Sequence, residues 1–275
     1  VEEMISVGVD AVTIATPTVT HLDVAAPLLA KGIACLIEKP LAPTAEVASA
    51  IADAAEEGGA VLQVGHVVRY DPVMRAIASI ENLRPRFIEM TRISPMTFRS
   101  TDVGVVLDMM IHDLDLLTWM KSGISPVSVA SFGSNMYFRP ENRPEGAGDR
   151  CLVDCPIEPD CLYSARKHYI DHPDRWSFYV WDTLEHIEKP TIEQKIASLK
   201  KDNPYGRCVW RCDNDVVDHQ SVVVTFEDGC TATHNMVGGT ARPSRAIHLL
   251  GTEGEIQGVF EDSRIVIRHI DTRPG

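Results

Sequence analysis

Ile33-Ala34-Cys35-Leu36-Ile37-Glu38-Lys39-Pro40 is a short apolar run that follows Gly32 and stops on two charges and a proline. Its length and lack of alternation predict a strand buried on both faces, the kind that ends at the ligand crevice of an open parallel sheet. Upstream, Asp10-Ala11-Val12-Thr13-Ile14-Ala15-Thr16-Pro17 repeats the design: an apolar strand over Val9–Ala15 breaks into a Thr-Pro turn that opens a helix over His21–Lys31. Leu22, Ala25, Ala26 and Leu29 share one face of that helix, and Gly32 closes it. Two neighbouring strands thus deliver polar groups to one edge.

Working outward, Thr44 caps a helix that runs through Glu57 and ends at Gly58-Gly59, and Ala60–Gly65 is the next strand. Asp71-Pro72 starts another helix, with the acid at the cap and proline at the first helical position. Arg86–Ser94 alternates as a strand. This βαβα rhythm predicts a doubly wound parallel sheet. Beyond it the character changes. Val127–Phe132, His219–Glu227, Cys230–Val237, Arg245–Leu250, Glu255–Phe260 and Arg264–His269 read as strands separated by turns, including Asp228-Gly229, a two-residue hairpin signal. The expected fold is α/β: a partial Rossmann-type parallel-sheet domain over residues 1–95, then an α/β domain over 96–275 with an open, mainly antiparallel sheet. A segment rich in proline, cysteine and charge interrupts the second domain at about residues 135–215.

Composition narrows the function. The chain has 275 residues, 44% of them hydrophobic, enough for a packed core. Its formal charge of -13 opposes binding to nucleic acid or to an anionic membrane. No run approaches the length of a membrane span, and the N-terminus lacks a signal-peptide pattern. Seven cysteines, an odd number with five clustered, favour reduced thiols or metal ligation and a cytoplasmic location.

Between Asp102 and Ser122 the chain is apolar on nearly every side, which predicts a buried helix. Asp108, His112 and Asp115 fall at i, i+4 and i+7 and form one polar stripe on it. Such a stripe must be hydrogen-bonded internally or line a cavity, because an unpaired buried charge costs several kcal/mol. In a cavity, His112 would take a proton from a hydroxyl while Asp108, one turn earlier, fixes its tautomer. Lys39, at the end of a core strand, would stabilise a developing alkoxide.

Taken in order, Ala15-Thr16-Pro17-Thr18-Val19-Thr20-His21, Glu38-Lys39-Pro40 and Asp108-Met109-Met110-Ile111-His112 resemble the glucose-fructose oxidoreductase and inositol dehydrogenase (Gfo/Idh/MocA) family. The resemblance implies a nicotinamide-binding Rossmann domain followed by a domain whose open sheet carries substrate and homo-oligomer contacts. It implies NAD or NADP as cofactor, and Lys39, Asp108 and His112 as the catalytic set, the aspartate supporting the histidine. Thr16, Pro17, His21, Glu38 and Lys39 are implied to line the cofactor, with Arg69 near cofactor or substrate, and the Lys39-Pro40 bond is expected to be cis. The Gly-x-Gly-x-x-Gly turn and ribose-binding acid of a dinucleotide fold are absent. Family comparison therefore leads us to expect an N-terminal truncation of roughly 60 to 70 residues, about two βα units, that leaves this piece inactive.

Cys151, Cys155, Cys161, Cys208 and Cys212 bring five thiols into the inserted segment. They are candidate ligands of a tetrahedral zinc or, alternatively, small buried residues of an irregular loop. Trp176, Tyr179, Trp181, Tyr205 and Trp210 pack a core there or stack on a sugar. The expected activity is an NAD(P)-dependent oxidoreductase moving a hydride between a secondary alcohol of a sugar, polyol or nucleotide sugar and nicotinamide. Two alternatives are an NAD-dependent glycosidase acting by oxidation and elimination, and a non-catalytic cofactor- or metal-sensing binding protein.

Overall fold

The computed structural model describes residues 1–80, 84–95, 99, 110–172, 178–213 and 216–270. Helix α1 (Glu2–Val7) leads into β1 (Ala11–Ile14), α2 (His21–Leu29), β2 (Ala34–Ile37), α3 (Ala45–Gly58) and β3 (Leu62–Val64). The strands pair in parallel in the order β1-β2-β3, with Val12 opposite Cys35 and Leu36 opposite Gln63. Local sequence sets the helix ends: the Thr44 hydroxyl accepts from the Val47 amide, and Gly59 leaves α3 in the left-handed conformation at φ 60°. Ile14, Ala25, Leu28, Leu29, Ile37 and Ile51 form the core between sheet and helices. One expectation is corrected. The strand at Ile33–Ile37 is covered on one face only: Cys35 and Ile37 are buried, but Leu36 is 42% exposed. Its opposite face, with Ala11, Thr13 and Gln63, borders an open groove.

The chain then passes through α4 (Pro72–Ala78), which Asp71 caps by accepting from the Val73 amide, into β4 (Phe87–Ser94). Next come α5 (Ile111–Met120), β5 (Pro126–Ser134), α6 (Ala165–Tyr169), α7 (Ile192–Lys200), β6 (His219–Phe226), β7 (Thr231–Gly238), β8 (Ser244–Leu250), β9 (Gly254–Val259) and β10 (Arg264–His269). Seven strands pair in the order β10-β9-β8-β4-β7-β6-β5, antiparallel except for β4 with β7. The strand at Arg86–Ser94, read from sequence as continuing the first sheet's rhythm, lies instead in the middle of this second sheet. The register with β7 and β8 places it there, and its alternation points Ile88 and Met90 into a core with Met74, Ile77, Leu116, Leu117, Phe226 and Ile247. Helices α4 and α5 pack on that face. Asp228-Gly229 makes the β6–β7 turn, with Gly229 at φ 83°.

The insertion is more ordered than its composition predicts. Thr191-x-x-Gln194 forms a capping box at the start of α7, a signal the sequence reading passed over. Among the described residues, no helix is long and apolar enough to cross a membrane.

Candidate active site

Because β1, β2 and β3 run parallel, Ala15–Pro17, Glu38–Lys39 and Gly65–His66 leave the sheet at one edge. Ala15, Thr16, Pro17 and Glu38 are exposed there. His21 is not; it is buried beneath the loops, with one ring nitrogen 2.9 Å from the Thr16 carbonyl and the other 3.0 Å from that of Leu41. A neutral imidazole donates to only one of them, but both contacts hold the Thr-Pro turn against the loop after β2. His21 is thus a tie under the edge rather than part of its surface. The Glu38 carboxylate accepts from the Lys39 amide at 3.2 Å and lies over Gly65, where a Cβ would come within 3.3 Å of its carboxyl atoms. The Lys39-Pro40 peptide bond is cis.

Helix α5 supplies the facing groups. His112 is half-buried, and burial, with the positive charges of Lys39 and Arg245, lowers its pKa to about 4, against an opposing pull from Asp113. Lys39 and His112 are therefore near enough to feel each other's charge, although they come from different layers. The His66 ring stands edge-on to that of His112, with centroids 6.5 Å apart. The Nδ1 atoms of both rings are buried without a partner among the described residues. One turn along, Asp115 accepts from Arg69 Nε at 2.8 Å and Nη2 at 2.5 Å, with His66 Nε2 at 3.5 Å. Burial pulls the His66 pKa down, partly offset by Asp115. The Asp115 part of the expected stripe is thus satisfied internally, by Arg69, which also lies over the Trp119 ring at 5.8 Å. Asp108 falls outside the described residues, so its expected support of His112 is not part of this geometry.

Sequence reasoning missed Asp113. Its side chain and that of His234 on β7 are fully buried, with Nε2 of His234 3.1 Å from Oδ2 and Arg245 Nε of β8 donating to Oδ1 at 2.5 Å. Burial pushes this carboxyl up, but the His234 hydrogen bond and the Arg245 charge outweigh it and hold the pKa below the usual range. A signal was available: any ionisable residue on a helix this apolar needs a buried partner.

The cysteines have two alternative readings from sequence, metal ligands or buried packing residues. No three His, Cys, Asp or Glu side chains among the described residues converge as a metal site, and all seven thiols are free. Cys155, Cys161 and Cys208 pack with Phe138, Tyr163 and Trp210, whereas Cys151 packs with Tyr169, Val180 and Leu199. The fully buried guanidinium of Arg99 donates to Cys151 Sγ at 3.5 Å and to the Tyr205 and Arg207 carbonyls at 3.0 and 2.8 Å. Burial raises the pKa of Cys161, Cys208 and Cys212, the last to about 11, so these thiols are protonated at neutral pH. Tyr179, Tyr205 and Trp210 are likewise packing residues, and Trp181 lies under Lys195, whose Nζ is 4.8 Å from the ring centroid. Trp176 falls outside the described residues. In the strand-leading Asp213–Gln220 stretch, Asp218 accepts from the amides of Met136, Tyr137 and Phe138 and pairs with His219 at 2.7 Å. It is an anchor for the insertion's first turn.

The parallel edge does suit a nicotinamide cofactor: three strand ends present an exposed turn, a side-chain-free glycine and a cation at one place, with two imidazoles opposite. A model of the oxidoreductase family with an NAD-binding Rossmann fold matches residues 1–66. UDP-N-acetylglucosamine 3-dehydrogenase from Acidithiobacillus ferrooxidans is 42% identical over 125 residues, 46% of this chain and 40% of that protein. The scyllo-inositol 2-dehydrogenase (NAD(+)) of Bacillus subtilis is 33% identical over 134 residues, 46% of this chain and 39% of its own length. The alignments thus span about two fifths of these relatives. A solved structure of the Acidithiobacillus enzyme superimposes with a TM-score of 0.64 at 23% identity, covering 98% of this chain and 64% of that one, a likeness of fold. In its motifs, in the sequence matched over residues 1–66 and in its two-sheet architecture, the chain is similar to the Gfo/Idh/MocA oxidoreductase family.

Proposed function

We propose that the protein is an NAD-dependent dehydrogenase that interconverts a secondary alcohol of a sugar, polyol or nucleotide sugar with its ketone. What supports this best is that Lys39, at the edge where the parallel strands end, lies within electrostatic reach of His112 on α5. With a pKa near 4, His112 is neutral at physiological pH and so is ready to accept the hydroxyl proton as the carbon loses its hydride. Lys39 would stabilise the negative charge that develops on the same oxygen. Thr16, Pro17, Glu38 and the backbone at Gly65 would hold the cofactor, whose nicotinamide supplies the hydride acceptor when bound. NAD is favoured over NADP by the matched family's description, and the named relatives favour UDP-sugars and inositols as substrates.

We also propose that a second copy of the chain covers the open face of the seven-stranded sheet, where Phe132, Val223 and Val237 are 77%, 37% and 40% exposed. Seven free thiols accord with a cytoplasmic location. The test is purified protein expressed from its complete gene, given NAD with UDP-N-acetylglucosamine, myo-inositol and scyllo-inositol in turn. Steady NADH formation with at least one is expected; protein that binds NAD but forms NADH with no carbohydrate would overturn the reading.

A further inference from the structure

We propose that Asp113, His234 and Arg245 form a positioning unit that seats His112 and sets how readily it takes a proton. The inference deepens the dehydrogenase reading, on which its catalytic meaning rests. Asp113 follows His112 in the first turn of α5, yet its carboxylate turns into the sheet and is held by two strands at once: His234 from β7 and Arg245 from β8. Arg245 is itself fixed, its amide donating to Glu261 Oε2 at 2.8 Å and its guanidinium 5.3 Å above the Phe260 ring. Directly across the ladder, Arg92 of β4 reaches the other oxygen of Glu261 at 3.7 Å. The start of α5 is therefore anchored to β7 and β8 through one carboxylate, and Glu261 links Arg245 to Arg92 of β4.

A buried ion pair adds little net stability compared with apolar packing of the same shape; its distinctive effect is to fix one geometry. Here that geometry places a negative and a positive charge beside the imidazole. The described charged or titratable groups bearing on His112 are Lys39 from the loop after β2, His66 from the loop after β3, Asp113 on its own helix and Arg245 from β8. Of these, Asp113 favours the imidazolium, and Arg245 opposes it. Because the two are paired at 2.5 Å, their fields largely cancel at His112, and removing either should leave the other unbalanced. The unit thus predicts shifts of opposite sign from its two members, which a simple staple between helix and sheet does not.

The experiment is a pH titration of His112 by NMR on ring-labelled protein, its resonance assigned by loss in His112→Gln. Arg245→Gln should raise the midpoint by roughly half to one pH unit, the scale of losing one nearby charge. Arg245→Lys, which keeps the charge, should restore it. Asp113→Asn should lower the midpoint below that of the unaltered protein. Should Asp113→Asn fail to fold, the two Arg245 variants still decide the matter, since that side chain is at the edge of the network and 12% exposed. A folded Arg245→Gln protein with an unmoved or lowered midpoint would overturn the proposal. The readout needs neither cofactor nor substrate, so it stands apart from any failure of the dehydrogenase reading.

Discussion

Arg69 and Asp115 join the loop after β3 to helix α5, and breaking that pair should loosen the two sides of the candidate site. Arg69 donates two parallel hydrogen bonds to Asp115, at 2.8 and 2.5 Å, and the carboxylate is 9% exposed against 33% for the arginine side chain. An exposed pair contributes about 0.2–1 kcal/mol, whereas removing one partner of a fully buried pair costs about 3–5 kcal/mol. The arginine can partly rehydrate, and His66 remains near the carboxylate at 3.5 Å, so this pair belongs between those limits. Asp115→Asn should destabilise by about 2 kcal/mol, and a cycle with Arg69→Gln should give a coupling of about 1–1.5 kcal/mol. Urea unfolding of the four proteins measures both quantities. A coupling under about 0.3 kcal/mol would show that the fork geometry contributes no more than an ordinary surface contact.

Gly58→Ala should cost about 3 kcal/mol in the same assay, because the added Cβ would meet the Leu29 carbonyl oxygen at 1.9 Å and force α3 away from α2. Acid should destabilise the fold through His112: the folded pKa of about 4 lies below the ordinary 6.5, so the unfolded chain binds more protons between these values. This contribution, an upper limit of roughly 3 kcal/mol, is complete above the ordinary imidazole pKa and lost as pH falls through the interval; His112→Gln should flatten that part of the pH–stability curve. In the insertion, Cys212, with its pKa pushed up to about 11, should alkylate slowly in the native protein and quickly in denaturant, and the purified protein should carry less than about 0.2 metal ions per chain.

The fold was legible where local chemistry and tertiary packing agree. Thr44 and Gly59 bound α3, Asp71-Pro72 starts α4, and the Arg264–His269 strand stands as read, because caps, turns and alternation act over a few residues. Strand partnership was not legible in the same way. Arg86–Ser94 alternates equally well in either sheet, and only the non-local register with Ser244–Leu250 and Thr231–Gly238 places it. The two-sided burial expected of Ile33–Ile37 failed because an apolar run does not say what covers its second face. At the candidate site, Lys39 and His112 were singled out through positions that leave a charge at a strand end or on an apolar helix. Asp115 was seen as part of the same stripe, but its partner Arg69 was assigned to cofactor or substrate instead. Asp113 escaped because its partners, His234 and Arg245, are more than a hundred residues away. The sequence leaves the cysteine cluster between two readings for a related reason: spacing displays the thiols but not the guanidinium of Arg99 seated beside Cys151.

The central claim is that His112 and Lys39 act together on one substrate oxygen, and the pH dependence of turnover tests it most directly. With the protein from its complete gene and a carbohydrate that it oxidises, His112→Gln should lower kcat by about 10²- to 10⁴-fold, with KM changed little and the acidic limb of the profile lost. Unchanged kcat in a folded, cofactor-binding His112→Gln protein, or an acidic limb that persists, would contradict the account.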